Sequence, residues 1–495
     1  MSYLRPGVYI EETLNPIPPL AGPDSTSVAA FIGAADRGPL DPTLVTSWTQ
    51  YTSLYGSWGT LNTLTTAVYL FFANGGNQAY VKRVTAGAAA AATRVFDDRS
   101  ATTDPTLNVF AKNPGTWGNS IYITITDSSL ANHFDLVVYN GGTTSAFIVE
   151  RYTDLNMTVG NARYAPTAIN AVSNVITTTD ANSAATGSLR NPGNVSLQPL
   201  ASGATGSAVT ESDIANAMSS FDTVTSALVL NAPGVVGTSP MNTILSYAES
   251  RDDVFVVIDA MNDTVANQMT RAATYTSTSL GAVYYPNLTI PSNTSSSPDA
   301  VETAFCGGAI VGQFISTDVS RGVFKAPAGV NNRIAGAVAV QKLTNANLDT
   351  MNSASAPVNA IRFIPGSGIV VMGSRTLKAG YADRYVPVRR SLIYLRKALT
   401  DLTNFAVFEP NDAVLWRRIK ASLEGFLTDY WSQGGLRGAT PADAFFVKCD
   451  SSTNPLIKID NGEVNMEIGV ALQRPAEFVI IKIGQYDGGT TVTVA

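Results

Sequence analysis

One histidine and two cysteines in 495 residues remove much chemistry before any motif is sought. A lone imidazole, His133, excludes histidine-rich metal sites and any scheme that needs two imidazoles. A Ser-His-Asp arrangement would have to recruit His133 from SSLANHFDLVVY, which reads as a polar loop leading into a strand. A surface or satisfied histidine is the better reading there. Cys306 and Cys449 lie far apart in sequence and are expected as free core thiols. Charged residues make up only 14% of the chain. No basic run reaches five residues, so nucleic acid is not an expected partner. No apolar run reaches the length of a membrane helix. The N-terminus lacks the basic, apolar, small-residue order of a signal peptide. The expectation is a chain made in a cytoplasm, without membrane insertion. Phosphate cradles of the GxGxxG and GxxxxGK[ST] types are absent, and so is a GxSxG elbow. No cofactor, no metal and no enzyme activity are expected.

What remains is a long chain rich in Ser, Thr, Asn, Ala and Gly, with enough aliphatic and aromatic residues to bury several cores. Its charge is uneven. Residues 1–320 hold 12 Lys+Arg against 24 Asp+Glu, and residues 321–495 hold 20 against 14. An acidic front part is joined to a mildly basic back part, a pattern that suits different faces meeting different partners.

The opening MSYLRPGVYIEETLNPIPPL poses a question of pairing. Gly7–Glu12 is strand-like, and Asn15-Pro16-Ile17-Pro18-Pro19 behind it is neither helix nor central strand. The strand is thereby cut off from the rest of the chain. From 27 to 84 the pattern is one α/β unit. It comprises a strand in SVAAFIGAADRGP, helices in 47–57 and 64–74 (the second stopped by Gly75-Gly76), and a strand at Ala79–Val84. Residues 91–210 change to polar, Thr-rich strands such as SIYITITD and FDLVVY, read as an inserted β-rich outer domain. Residues 211–315 return to short apolar runs, Ala227–Asn231, Val254–Asp259 and Gly281–Tyr285, as buried parallel strands require. They read as a separate α/β middle domain. Asp259, at the end of VFVVID, is a carboxylate available to chemistry but more often a cap for a turn or helix. Asp252-Asp253 is a carboxylate pair whose members point apart. Further on, strands are expected at Val358–Pro365 and Gly368–Ser374, helices at 389–402 and 412–431, and strands at 463–472 and 477–484. The fold class is a mixed α/β (α+β), multidomain chain. Its inner domain would combine 21–90 with 316–475, flanked by an N-terminal arm at 1–20 and a C-terminal strand and arm at 476–495.

Six segments in order carry a family likeness: PGVYIEE, RGVFKAPAG (321–329), IRFIPGSGIVVMGSRTL (361–377), YVPVRRSLIYLRKAL (385–399), FEPND (408–412) and NGEVNMEIGVALQRPAEFVIIKIGQ (461–485). Together they resemble the tail sheath proteins of contractile phages and related injection machines. The resemblance covers the first 80 or so residues and the last 180. It implies a homo-oligomer of many copies, a helical sheath around an inner tail tube protein, bounded by baseplate and tail terminator proteins. It implies a virion location, with assembly in the host cytoplasm. It also implies inter-subunit strand pairing through the ends of the chain: Val8, Tyr9 and Ile10 at one end, Phe478, Val479, Ile480, Ile481 and Ile483 at the other. Augmentation by a neighbour would satisfy their backbone groups. Pro16, Pro18, Gly484, Gly488 and Gly489 are the corresponding hinges. Arg389, Arg390, Arg396, Lys397, Arg417, Arg418 and Lys420, on two expected helices, are candidates for holding an acidic tube. Two rivals stay open: the sheath of a bacteriocin-like or secretion-type machine, and a hydrolase using the 211–315 region.

Overall fold

In the computed structural model, residues 28–477 are described, apart from 60–62, 294, 296, 298, 379 and 381–383. The main sheet draws on strands from widely separated parts of the chain: β1 (Val28–Gly33), β2 (Thr43–Val45), β3 (Ala79–Arg83), β4 (Leu228–Asn231), β5 (Val254–Asp259), β6 (Gly281–Tyr285), β7 (Val358–Ile364) and β8 (Gly368–Met372). Their order across the sheet is β8-β7-β6-β5-β4-β1-β3-β2. The central six are parallel, and an antiparallel strand closes each edge. β1, β4, β5 and β6 are buried along their whole length, which is why they read as unbroken apolar runs.

This topology corrects one expectation. Residues 211–315 do not stand apart as a middle domain, because β1 pairs with β4 from Val28↔Leu228 to Phe31↔Asn231. A single hydrophobic core runs through both stretches. Local periodicity identifies each strand but carries no information on which strand lies beside it.

Helices α1 (Trp48–Tyr55), α2 (Thr63–Ala73), α3 (Thr238–Arg251) and α4 (Gly307–Arg321) belong to this unit. α2 and α4 touch closely because glycines sit at the crossing. A Cβ on Gly308 would meet the Ala67 carbonyl oxygen at 2.1 Å, and one on Gly312 the Phe71 carbonyl oxygen at 2.6 Å.

Between β3 and β4 the chain forms a separate β-rich body. Thr93–Asp97, Pro105–Ala111 and Ile176–Asp180 make one antiparallel sheet. Ile121–Asp127, Phe134–Asn140, Ile148–Leu155 and Val195–Pro199 make a second. The alternation of SIYITITD buries Ile121, Ile123 and Ile125 in a core of its own.

The back part forms a third core around α5 (Val386–Thr403) and α6 (Ala413–Ser432), with β9 (Phe445–Lys448) and β10 (Glu467–Val470). Asp412 caps α6 by accepting from the Val414 and Leu415 N–H groups. Leu415, Ile419, Leu423, Leu427 and Tyr430 form the buried stripe that the helical spacing predicts, with Phe426 packed beside it.

Candidate assembly site

The strand residues Val8, Tyr9, Ile10, Phe478, Val479, Ile480, Ile481 and Ile483 lie outside the described residues, as do the hinges Pro16, Pro18, Gly484, Gly488 and Gly489. The described residues that lead up to Phe478 end beside a short sheet. β9 and β10 pair antiparallel, Phe445↔Val470 to Lys448↔Glu467, as a ladder of only two strands. β10 spans four residues where ten alternate in the sequence. Val447, Ile468 and Val470 face the α5–α6 core. Phe446, on the opposite face, is 58% exposed, and its ring lies over Gly469. A two-stranded ladder is marginal in water by itself, and the outer edges of this one carry no third strand among the described residues.

The chain leaves β10 through Gln473–Glu477, and Glu477 is held firmly. Arg375 Nε donates to its Oε1 at 2.7 Å and Nη2 to its Oε2 at 2.6 Å, while the Tyr385 hydroxyl donates to Oε2 at 3.2 Å. This bidentate pair fixes direction as well as position. A groove of about 510 Å³ runs beside the segment, between it and the 324–329 loop. Glu477 is therefore fixed by three hydrogen bonds, beside a sheet that has two strands among the described residues. Sequence reasoning missed Arg375 and Glu477, because nothing local marks a pair 102 positions apart.

The seven basic candidates for contact with a tube divide into different settings. Arg390 is buried, 3% exposed, against an equally buried Asp318 on α4, with Nη1 2.9 Å from Oδ1. Its guanidinium also lies 4.7 Å over the Phe314 ring. Arg389 donates to Asp252 at 2.6 Å, and Arg396 pairs with the same carboxylate. These three arginines bind α5 to the main-sheet unit and are not a free basic face. The cause is visible in the fold: α5 lies between two cores, contributing Ile393 to one and Leu395 to the other. Asp252 and Asp253 do point apart, the first to α5 and the second to Arg251. Lys397 and Lys420 form pairs within their own helices, with Asp401 at 3.4 Å and Glu424 at 3.8 Å. Arg418 stacks 4.4 Å over Phe405. Arg417 is exposed and makes no ion pair among the described residues.

The carboxylates at the C-terminal edge of the main sheet are engaged as caps. Asp259 accepts from the Gly307 N–H at 2.6 Å at the start of α4, and from Asn231 Nδ2 at 3.2 Å. Burial pushes its pKa up to about 6, and the hydrogen bonds oppose that rise. Glu211 accepts from Val236 and Gly237 N–H at 3.2 and 2.6 Å, ahead of α3. Cys306 and Cys449 are buried free thiols. His133 is satisfied by Ala131 O at 2.8 Å and the Asn156 amide at 3.2 Å.

Comparison with known proteins places this arrangement. Residues 382–485, which contain α5, α6, β9 and β10, match the family model described as the phage tail sheath C-terminal domain. A tail sheath protein of Vibrio phage KVP40 is 30% identical over 183 residues, 35% of this chain and 25% of that protein. The chain thus matches about a quarter of the length of that curated relative. Among solved structures, the contracted sheath of an extracellular contractile injection system (PVC) superposes with a TM-score of 0.58 at 22% identity, covering 98% of this chain and 99% of that one. The contracted helical sheath of the anti-feeding prophage gives 0.61 at 22%, covering 98% and 100%. A sheath tail protein from Listeria innocua gives 0.62 at 13%, covering 90% and 95%. At these identities the likeness is one of fold, and it extends through the inserted β-rich body as well as the ends.

Proposed function

We propose that this chain, which carries the C-terminal domain and the fold of tail sheath proteins, is the structural subunit of a contractile sheath. It polymerises in many copies as a helix around an inner tube, and the sheath contracts to drive that tube through a cell envelope. The observation that carries this reading is the match of residues 382–485 to the tail sheath C-terminal domain, since those residues hold the incomplete β9–β10 ladder and the anchored root of the C-terminal arm. Strands from the ends of neighbouring copies, Val8–Ile10 and Phe478–Ile483, complete that ladder. A strand given head-to-tail from copy to copy builds an open helix and not a closed dimer. The inner tube protein is the partner inside, and baseplate and terminator proteins cap the two ends. Arg417, Arg418, Lys420 and Lys397 remain as surface cations for contact with a tube, each worth about 0–1 kcal/mol. Such contacts add along a polymer and break one at a time as subunits slide. Contraction is a switch between two packings of one subunit and draws on energy stored at assembly.

A setting in a phage-like injection machine is favoured by one observation. The chain and the injection-system sheaths cover each other almost completely. The hydrolase alternative finds little support in the main sheet, where Asp259 and Glu211 hold helix N-termini.

The test is negative-stain electron microscopy of the purified chain beside a version lacking residues 1–14 and 485–495. Striated tubes or rings from the full chain and none from the trimmed one are expected. Monodisperse monomers from both, in the presence of the tube protein as template, would overturn the reading.

A further inference from the structure

The most unusual surface of the main-sheet unit is aromatic. Along α1 the rings of Trp48, Tyr51 and Tyr55 stack in series, 5.4 and 5.1 Å apart and within 16° of parallel. The inner end of the series is buried, where the Tyr55 hydroxyl donates to the Val81 carbonyl. At the outer end Trp48 meets Trp58 and Tyr69, and the three ring centroids lie 5.3–5.4 Å from one another. All three are half-buried. Among the described residues, neither indole N–H nor the Tyr69 hydroxyl has a hydrogen-bond partner. A half-buried ring cluster with unused indole and phenol donors has the chemistry that receives proline-rich chain. Proline rings stack on the faces, and backbone carbonyls, uncommitted in a polyproline conformation, accept from the donors.

We propose that this cluster is the docking site for the chain's own proline segment, Asn15–Pro19. The position of the chain's entry into the sheet selects this occupant. Ala29 of β1 is level with Ala79 of β3, which is level with Val45 of β2. Two strand spacings, about 10 Å, thus separate the arm's root from Val45. Trp48 follows three residues later. From Pro19 to Val28 an extended chain reaches about 28 Å at ~3.1 Å per residue. The segment therefore reaches the rings with slack, and its four apolar residues, Pro16, Ile17, Pro18 and Pro19, suit an apolar, donor-rimmed surface. Docked there, the prolines form a fixed root from which Val8–Ile10 departs in one direction. That role rests on the sheath reading, whereas the docking itself does not.

The test is chemical crosslinking in the full-length chain. Cys306 and Cys449 are buried, so Pro18→Cys with Thr49→Cys supplies the two reactive thiols. Thr49 is exposed beside Trp48. Pro18→Cys with Thr225→Cys is the control, since Thr225 is exposed and nearer to the arm's root, where the Val28 N–H donates to the Ala227 carbonyl. A short bis-maleimide is expected to link residues 18 and 49 within one chain in clear excess over the control. Trp58→Ala should lower that yield about fivefold, as loss of one stacked ring implies. Tyr69→Phe, which removes only a hydroxyl, should lower it less while leaving the fold intact. A yield equal to the control, a yield unchanged in both variants, or products joining two chains would overturn the proposal. The last result would assign the site to a neighbour's arm. Because the readout is proximity and not polymerisation, its failure is separable from failure of the sheath reading.

Discussion

At the scale of the residue, the buried charges do the most to fix this molecule. Arg390 and Asp318 bury opposite charges in bidentate contact, and removing either partner would leave the other uncompensated, a loss of about 3–5 kcal/mol in such settings. Asp259 is a different case, since it forms no ion pair among the described residues and burial raises its pKa to about 6, against 3.8 in the free chain. A carboxyl whose folded pKa lies above its unfolded one binds its proton more tightly in the fold. As pH rises from about 4 to 6 the unfolded chain ionises first, so Asp259 withdraws stability over that window and reaches a steady deficit of about 3 kcal/mol above it. Other carboxylates act oppositely; hydrogen bonds from Ser100 and Ser183 hold Asp98 below its usual value, for example. The contribution of Asp259 therefore has to be isolated by difference. Asp259→Asn keeps the shape and removes the titration. Urea unfolding of both proteins from pH 4 to 7 should find wild type losing about 2–2.5 kcal/mol relative to the variant. A difference independent of pH would mean that Asp259 is ionised with little penalty.

At the scale of the element, the sequence was legible wherever one short stretch decides the outcome. β5 and β6 fall on the very runs VFVVID and GAVYY, because a strand buried on both faces must be apolar throughout. α5 and α6 begin and end within three residues of their expected bounds, because spacing and caps are local properties. What was not legible is pairing. The seven basic residues of these helices look alike in sequence, yet Arg389, Arg390 and Arg396 are consumed by Asp252 and Asp318, some 70 to 145 positions away. Arg417, next in sequence to the buried Trp416 but on the exposed side, stays outside. α6 also contains Gly425 in its middle, on the exposed side, where an added Cβ would meet nothing within 4 Å. Glycine there lowers helix stability by about 1 kcal/mol relative to alanine. Gly425→Ala is expected to raise the unfolding free energy of the α5–α6 unit by about that amount, read from thermal or urea unfolding. No gain would indicate that the described surface at Gly425 is covered in the isolated protein.

At the scale of the whole molecule, the inserted β-rich body is attached to the main sheet without sharing its core. None of the buried residues of one cluster appears in the other. The chain enters and leaves the insert side by side, with Ala86 bridged to Ser207 and Ala90 to Ala204. Bridged residues of that kind are about 5 Å apart, so a two-residue turn can join them. The contacts across the junction are few and specific. Arg83, fully buried at the end of β3, gives its donors to the carbonyls of Ala35, Asp36, Gly38 and Pro114, and only the last belongs to the insert. Burial lowers its pKa to about 10, so it stays charged at neutral pH. Arg37 also lies 5.7 Å over the Trp117 ring. Replacing residues 91–203 by an Asn-Gly turn should therefore leave a folded protein. Loss of the Pro114 carbonyl costs Arg83 one of four hydrogen bonds, about 1.5–3 kcal/mol for a charged donor. The shortened chain is expected to retain cooperative unfolding and the mixed α/β circular dichroism of the parent. If sheath contacts run through the main sheet and the β9–β10 ladder, it should also form tubes of smaller outer diameter by negative stain. A molten chain would instead make the contacts of Arg83 with Pro114 and of Arg37 with Trp117 indispensable to the core. A folded chain without tubes would move the lateral contacts of the polymer onto the inserted body.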